Sequence, residues 1–309
     1  MSGQITVVGS SNVDFIMRVE RLPKPGETVT NGKFAQVYGG KGANQATAAA
    51  RAGGEVVFIA SVGEDTYGKA MKKNLRGDGI ETRTMQFQSG TSTGSALILI
   101  DGKGENSIAV APGANDLLTL EHLEACSGVL RGSALIVLQR EIPEPIIAFT
   151  LALAEESKVP TLLNYAPIKA TETELCDKIS ILVVNEIEAA ALSHLPVGNE
   201  SEAKAAAIAL RKFGIKTVII TLGASGSWVC AEDFEALIPA FPVKPLDTTA
   251  AGDTYCGAFA AAFVEGKSLP ESVRFASAAA AISVTRLGAQ PSIPTRAEID
   301  AFLTKAQAE

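Results

Sequence analysis

The chain has little of what metal cages, redox centres and nucleic-acid surfaces are made from. It carries only two histidines, His122 and His194, and four scattered cysteines, Cys126, Cys176, Cys230 and Cys256, with no C-x-x-C pair in 309 residues. A Cys/His metal cage needs several such ligands at short spacing, so none is expected, and the thiols read as small buried or half-buried side chains. Lys and Arg are outnumbered 27 to 34 by Asp and Glu, and no basic run offsets the net charge of −7. That charge would repel a phosphate backbone, so nucleic acid is not an expected partner. No apolar run approaches the roughly 20 residues of a membrane span. The stretch from Met1 to Ile5 lacks the basic start and apolar centre of a signal peptide. A cytoplasmic protein without membrane contact is expected. Two phosphate-binding signatures also fail. Gly266-Lys267-Ser268 has Ala261 where a Walker A loop needs its first glycine, and no G-x-G-x-x-G dinucleotide fingerprint occurs.

What is present is a composition of 47% hydrophobic and 20% charged residues, ordinary for a globular chain and long enough to bury a substantial core. Runs rich in β-branched residues recur at Ile5 to Val8, Val56 to Ser61, Ala134 to Leu138, Thr161 to Asn164, Ile181 to Val184 and Thr217 to Thr221. They read as buried strands. Ala-rich stretches of helical spacing lie between or after them: Asn44 to Ala52, Pro145 to Glu156, Glu200 to Phe213, Gly252 to Glu265 and Leu269 to Val284. This alternation predicts an α/β fold with a mainly parallel central sheet flanked by helices. Two segments break the rhythm, about 14–37 with Pro23, Pro25 and Gly26, and about 89–111 with a turn at Asp101 to Gly104. Both read as strands and hairpins forming a small separate sheet, which would act as a lid, a dimerisation surface or a plain insertion. With no repeat or low-complexity linker, residues 1–309 are expected to form one main domain plus that lid.

The most informative stretch is Asp247-Thr-Thr-Ala-Ala-Gly-Asp-Thr254, just ahead of a helical run. Small residues before a helix leave its first N–H groups open and aim the positive end of its dipole outward, which suits a phosphate. A carboxylate beside an anion site is repulsive unless it has a task. Asp253 could accept the proton of an attacking hydroxyl, or it could simply cap the helix. Gly39-Gly-Lys-Gly-Ala-Asn44 also precedes an Ala-rich helix, and Lys41 and Asn44 offer donors to sugar hydroxyls or phosphate; a structural tight turn would look the same. Asn12 and Asp14 leave the carboxyl end of the first strand, where α/β sheets bind ligands, and Asp14 could hold a diol or cap a turn. Glu141, after the strand ending at Leu138, is either a sugar acceptor, a water-mediated magnesium ligand or a solvated loop acid. Asn185-Glu-Ile-Glu188 and Thr221-Leu-Gly-Ala-Ser-Gly226 follow two further strands and could hold a triphosphate with its magnesium.

In this order the segments resemble the ribokinase-type carbohydrate kinase family over almost the whole chain. Gly39 to Asn44 and Asp247 to Thr254 anchor the resemblance, and Gly9 to Asp14, Pro25-Gly-Glu-Thr28, Asn185 to Glu188 and Gly288-Ala-Gln-Pro-Ser292 support it. The resemblance implies transfer of the γ-phosphoryl group of ATP to the primary 5-hydroxyl of ribose, with Asp253 as general base and the N–H groups of Ala250, Ala251 and Gly252 as anion hole. Asn12, Asp14, Gly40, Lys41, Asn44 and Glu141 would hold the sugar. Asn185, Thr221, Gly223, Gly226, Gly252 and Ser277 would surround the nucleotide, and Glu188 would organise Mg2+ and phosphate. A potassium ion (K+) would be held by Asp247, Thr249, Ser283, Arg286, Gly288 and Ser292, several through carbonyls. A homodimer through the lid is expected. Tyr255-Cys256, Ser277 and Arg140 depart from the family's commonest pattern and bear on the choice of acceptor. 2-Deoxyribose, another sugar or a nucleoside therefore stands as an alternative acceptor, and a non-catalytic sugar-binding regulator as an alternative function.

Overall fold

The β-branched runs show no polar alternation because their strands are covered on both faces. The computed structural model describes residues 3–168 and 173–308. In chain order, strands β1 (Gln4–Val8), β2 (Asn12–Arg18) and β3 (Lys33–Gly39) lead to helix α1 (Lys41–Arg51), β4 (Glu55–Gly63) and α2 (Thr66–Gly77). Strands β5 (Met85–Gln88), β6 (Gly94–Ile100) and β7 (Asn106–Ala111) follow, then α3 (Leu120–Ala125), α4 (Ser127–Arg131), β8 (Leu135–Leu138) and α5 (Glu144–Ser157). Next come β9 (Thr161–Asn164), β10 (Ile181–Asn185), α6 (Glu186–Ser193), α7 (Glu200–Arg211) and β11 (Thr217–Thr221). The hairpin of β12 (Ser227–Cys230) and β13 (Glu235–Ile238) precedes α8 (Ala251–Val264), α9 (Leu269–Ser283) and α10 (Arg296–Ala308).

Nine strands form the central sheet in the order β13-β12-β11-β10-β9-β8-β1-β4-β5. From β11 to β5 every pairing is parallel, as the strand–helix alternation predicts, while β12 and β13 add an antiparallel edge. Alternate residues of each strand feed two cores. Ile5, Val7, Leu135 and Val137 pack with Phe259, Phe275 and Ala46 of α8, α9 and α1; Val8, Ile136 and Leu138 pack with Ile147, Leu151 and Leu210 of α5 and α7. Cutting one of these fully buried leucines to alanine should cost about 2–5 kcal/mol, because the sheet cannot collapse into the void. The four cysteines are all free and buried, and no helix among the described residues is long and apolar enough to cross a membrane.

The second sheet has four strands in the order β3-β2-β6-β7, built from the two segments that break the rhythm. It starts earlier than the sequence indicates: β2 begins at Asn12 and pairs it with Gly39, the last residue of β3. The small sheet therefore roots in the two segments that carry the candidate sugar ligands.

Candidate active site

Parallel strands leave their loops at one end of the sheet, and here those loops converge on the start of α8. The cleft is walled by Asn164 ending β9 and Ala166 just after it, Val183, Val184, Asn185 and Glu188 about β10, Thr221 ending β11, Lys41 of α1, and Thr248 with the run from Ala250 to Asp253. Eight of the predicted site residues share this cleft: Lys41, Asn185, Glu188, Thr221, Ala250, Ala251, Gly252 and Asp253.

Ala250 precedes α8 in the left-handed region, φ 57°, a conformation that a residue with a Cβ adopts at some cost. It turns the chain so that the helix N-terminus opens on the cleft. The Ala251 N–H is spent on the Thr248 carbonyl at 3.2 Å, while those of Ala250, Gly252 and Asp253 meet no acceptor among the described residues. Asp253 lies inside the first turn of the helix, so the capping alternative fails; its carboxylate accepts from Asn44 Nδ2 and Gln45 Nε2, each at 3.0 Å.

Among the predicted sugar ligands, Gly40 (φ 86°) makes the turn that swings β3 into α1. A Cβ there would stand 2.8 Å from the Asn12 nitrogen. Helix α1 begins at Lys41, earlier than the sequence pattern places it, because the Asn44 N–H closes the first turn on the Gly40 carbonyl at 2.9 Å. Lys41 and Asn44 thus stand on a helix rather than in a loop. Glu141 is no solvated loop acid: its Oε2 accepts from the Ser10 hydroxyl at 2.5 Å and the Lys41 N–H at 2.9 Å. Asn12 Oδ1 accepts from Asn115 Nδ2 at 2.8 Å, and Asn115 Oδ1 accepts the Ser11 N–H at 2.9 Å.

The charges interact. Burial, then the fields of Glu141 and Asp253, push the Asp14 carboxyl up to about 7. The field of Asp253, and with it Glu141 and Glu188, holds the Lys41 ammonium above its ordinary range against the opposing effect of burial. Glu188 is raised chiefly by burial, against the Asn185 N–H and the Lys41 charge. These are carboxylates in want of cations and hydroxyl donors, which suits a polyol and a metal-bound phosphate.

With a buried carboxylate, an open helix N-terminus and charged and amide side chains in one cleft, the kinship of the chain is decided by its match to a known family. The pattern of the pfkB family of carbohydrate kinases matches residues 2–296. The chain belongs to this family. A ribokinase of Haemophilus influenzae is 42% identical over 306 residues, 99% of this chain and 100% of that one. A ribokinase of Bacillus subtilis is 39% identical over 300 residues, 97% and 99% of the two chains. Among solved structures, Arabidopsis thaliana ribokinase complexed with ribose and ATP agrees with a TM-score of 0.91 at 34% identity, covering 98% of this chain and 99% of that one. A large mixed sheet flanked by helices, with a small separate sheet, is the ribokinase-like architecture.

Other predicted site residues of this kinase lie outside the cleft lining. Asp247 Oδ1 accepts from the Thr249 N–H and hydroxyl at 2.9 and 2.6 Å, and Oδ2 from the Gly288 N–H at 2.9 Å. Burial opposes its ionisation, but the Thr249 hydroxyl, the Gly288 N–H and the Thr249 N–H outweigh that and hold it below the usual carboxylate range. Both Leu246 and Asp247 donate to the Val284 carbonyl, which seats this loop on the end of α9; Arg286 donates its N–H to the Ser283 carbonyl. The Ser283 and Ser292 hydroxyls turn to their own backbone, at Ala280 and Ala289. Among the described residues no cluster of His, Cys, Asp and Glu could hold a metal ion. Gly226 (φ 110°) is demanded by packing, since a Cβ there would stand 2.1 Å from the Ile238 carbonyl oxygen; Gly223 (φ 52°) faces open space.

The departures from the family pattern sit behind the site. Tyr255 and Cys256 are buried in the core beneath α8, and Ser277 is buried in α9. Arg140 is buried, with its guanidinium 4.3 Å over the Tyr165 ring and 2.9 Å from Glu144. None of the four lines the cleft. Sequence reasoning missed Ser10, Gln45, Asn115, Gln139 and Asn164, polar residues buried among apolar ones. The one signal they carry is that a polar side chain inside a buried run needs a partner.

Proposed function

We propose that this kinase transfers the γ-phosphoryl group of ATP to the 5-hydroxyl of D-ribose, giving ribose 5-phosphate and ADP. The observation that carries the reading is the position of Asp253, a buried carboxylate in the first turn of a helix whose N-terminal N–H groups open on the same cleft. Asp253 takes the proton as the sugar oxygen attacks phosphorus, the bond to the bridging oxygen of ADP breaks, and the open N–H groups of Ala250 and Gly252 receive the charge that gathers on the phosphoryl oxygens. Asn12, Asp14, Asn44 and Glu141 hold the sugar, with Lys41 and the backbone at Gly40. Asn185, Thr221 and Gly223 border the nucleotide, Gly226 shapes the turn beside it, and Ser277 is buried in α9 outside the cleft lining.

Magnesium fits the donor chemistry at Glu188, whose desolvated carboxylate suits a hard, oxygen-seeking cation, and when bound it would neutralise β- and γ-phosphate charge. Potassium would be held through oxygens of Asp247, Thr249, Ser283, Arg286, Gly288 and Ser292, where it would steady the loop leading into α8.

Residues 1–309 act as one α/β domain in the cytoplasm, with the four-stranded sheet as its lid. One face of that sheet aligns Ile16, Ile98 and Ile108, and next to them Asp14, Ala96 and Val110. Ile108 and Val110 are 55% and 58% exposed, and an apolar face of this kind is suited to pairing with a second copy of the chain. Ile108→Lys should then convert the dimer to monomer in sedimentation; a wild-type chain that stays monomeric at micromolar concentration would remove the dimer.

ADP release with ATP, magnesium and potassium, offering ribose, 2-deoxyribose, fructose and adenosine separately, tests the reaction. Preference for ribose is expected. Preference for another acceptor overturns the substrate, and ATP turnover indifferent to all four overturns the activity.

A further inference from the structure

A base in a cleft needs a free lone pair toward its substrate and a fixed plane behind it. Asp253 is only 6% exposed, and both of its oxygens are gripped, by adjacent residues of α1. Asn44 and Gln45 reach one carboxylate because α1 and α8 approach closely at Gly257, where a Cβ would stand 2.4 Å from the Gln45 carbonyl oxygen. Asn44 belongs to the proposed sugar side. Gln45 is fully buried and does not line the cleft.

The Gln45 amide can take only one orientation. Its Nε2 donates to Asp253 Oδ1 at 3.0 Å and to Asn164 Oδ1 at 3.2 Å, and its Oε1 accepts from Gln139 Nε2 at 2.8 Å. Flipped, its oxygen would face two oxygens and its amino group would face another amino group. Asn164 is held in turn by donating to the Val183 carbonyl at 3.2 Å. Gln139, also fully buried, keeps its own Oε1 without a partner. A buried acceptor left unpaired carries a desolvation penalty, and apolar side chains would fill this space without it. The network thus fixes a direction for an N–H at a cost to stability.

We infer that Gln45, set by Gln139 and Asn164, is a positioning residue that fixes the plane of the Asp253 carboxylate for proton transfer and acts on the reaction only through Asp253. This rests on the reading of Asp253 as the base. A carboxylate free to turn spends less time aligned with the acceptor hydroxyl, and small misplacements of reacting groups cost up to about a hundredfold in rate.

The test is a double-mutant cycle of Gln45→Leu and Asp253→Asn on the full chain, measuring kcat, KM for ribose and ribose affinity by calorimetry. Gln45→Leu alone should lower kcat about 10- to 100-fold with KM and ribose affinity within about threefold, and should cause no further loss in the Asp253→Asn background. An equal loss in both backgrounds, or an unchanged kcat beside a disabled Asp253→Asn, overturns the role of Gln45 while leaving Asp253 as the base. An unchanged kcat for Asp253→Asn overturns the base and the inference together. If Gln45→Leu does not fold, Gln139→Leu carries the test, because it leaves Gln45 and Asp253 in place and removes only the bond to the Gln45 amide oxygen, one of the three that orient the amide. A severalfold loss of kcat that vanishes in the Asp253→Asn background then supports the inference, and an unchanged kcat overturns it.

Discussion

The Asp14 carboxylate lies directly over Gly39, so close that a Cβ on residue 39 would stand 2.1 Å from Oδ2. The atom in the way is the end of a side chain rather than backbone, so the fold can survive a methyl group there while the carboxylate cannot keep its place. Gly39→Ala should therefore fold with little change in Tm and raise KM for ribose about tenfold or more, with a smaller change in kcat. A Gly39→Ala enzyme with wild-type KM would show that Asp14 does not hold the sugar.

Asp253→Asn keeps the shape of the side chain and removes its basicity. The expected loss in kcat is about two to four orders of magnitude, the usual range for a general base, with ribose affinity nearly intact. Calorimetric binding of ribose alongside the kinetics separates the two effects.

Asp14 also ties stability to pH. Its carboxyl sits at about 7 in the folded chain against an ordinary 3.8. Between those values the native state keeps a proton that the unfolded state releases, so the contribution of Asp14 to stability falls as pH rises from about 4 to 7 and is level above. The size is on the order of a few kcal/mol. Asp14→Asn should accordingly match the wild type near pH 4 and exceed it in unfolding free energy at pH 8. Ribose binding should run the other way, strengthening as pH rises toward 7, since an ionised Asp14 accepts hydroxyl protons best. A stability difference that does not vary with pH would place the Asp14 titration elsewhere.

Gly223 and Gly226 separate a ligand-facing role from a packing role. Gly226→Ala drives a methyl into the Ile238 carbonyl at a left-handed φ and should lower stability by at least about 1–3 kcal/mol. Gly223→Ala meets open space, so its cost should be about 1 kcal/mol from φ alone, with any further effect appearing as a raised KM for ATP. Equal destabilisation by both would contradict this division.

How much was legible follows from the range of each signal. Strand and helix periodicity is local, and so the runs at Thr161 to Asn164 and Thr217 to Thr221 read at their observed bounds. The hairpin strands β12 and β13 have no helix between them and so fall outside the strand–helix alternation, and β5, Met85-Gln-Phe-Gln88, holds no β-branched residue. Asp253 is visible because its glycine and alanine neighbours announce a helix start open to an anion. Gln45 is not, because its partners Gln139 and Asp253 are 94 and 208 positions away.

By itself the sequence determined the alternating α/β architecture, the two segments that leave it to form the second sheet, and the kind of chemistry that Asp14, Lys41 and Asp253 could do. Composition, periodicity and the residues flanking each helix act over a few positions and need no knowledge of the fold. Only the tertiary structure decided that Glu141 closes on Ser10 and Lys41, that Gly39 and Gly257 are small so that Asp14 and α1 can come close, and that a buried chain of amides stands behind Asp253. Those are contacts between segments far apart in the chain, set by how the helices pack on the sheet.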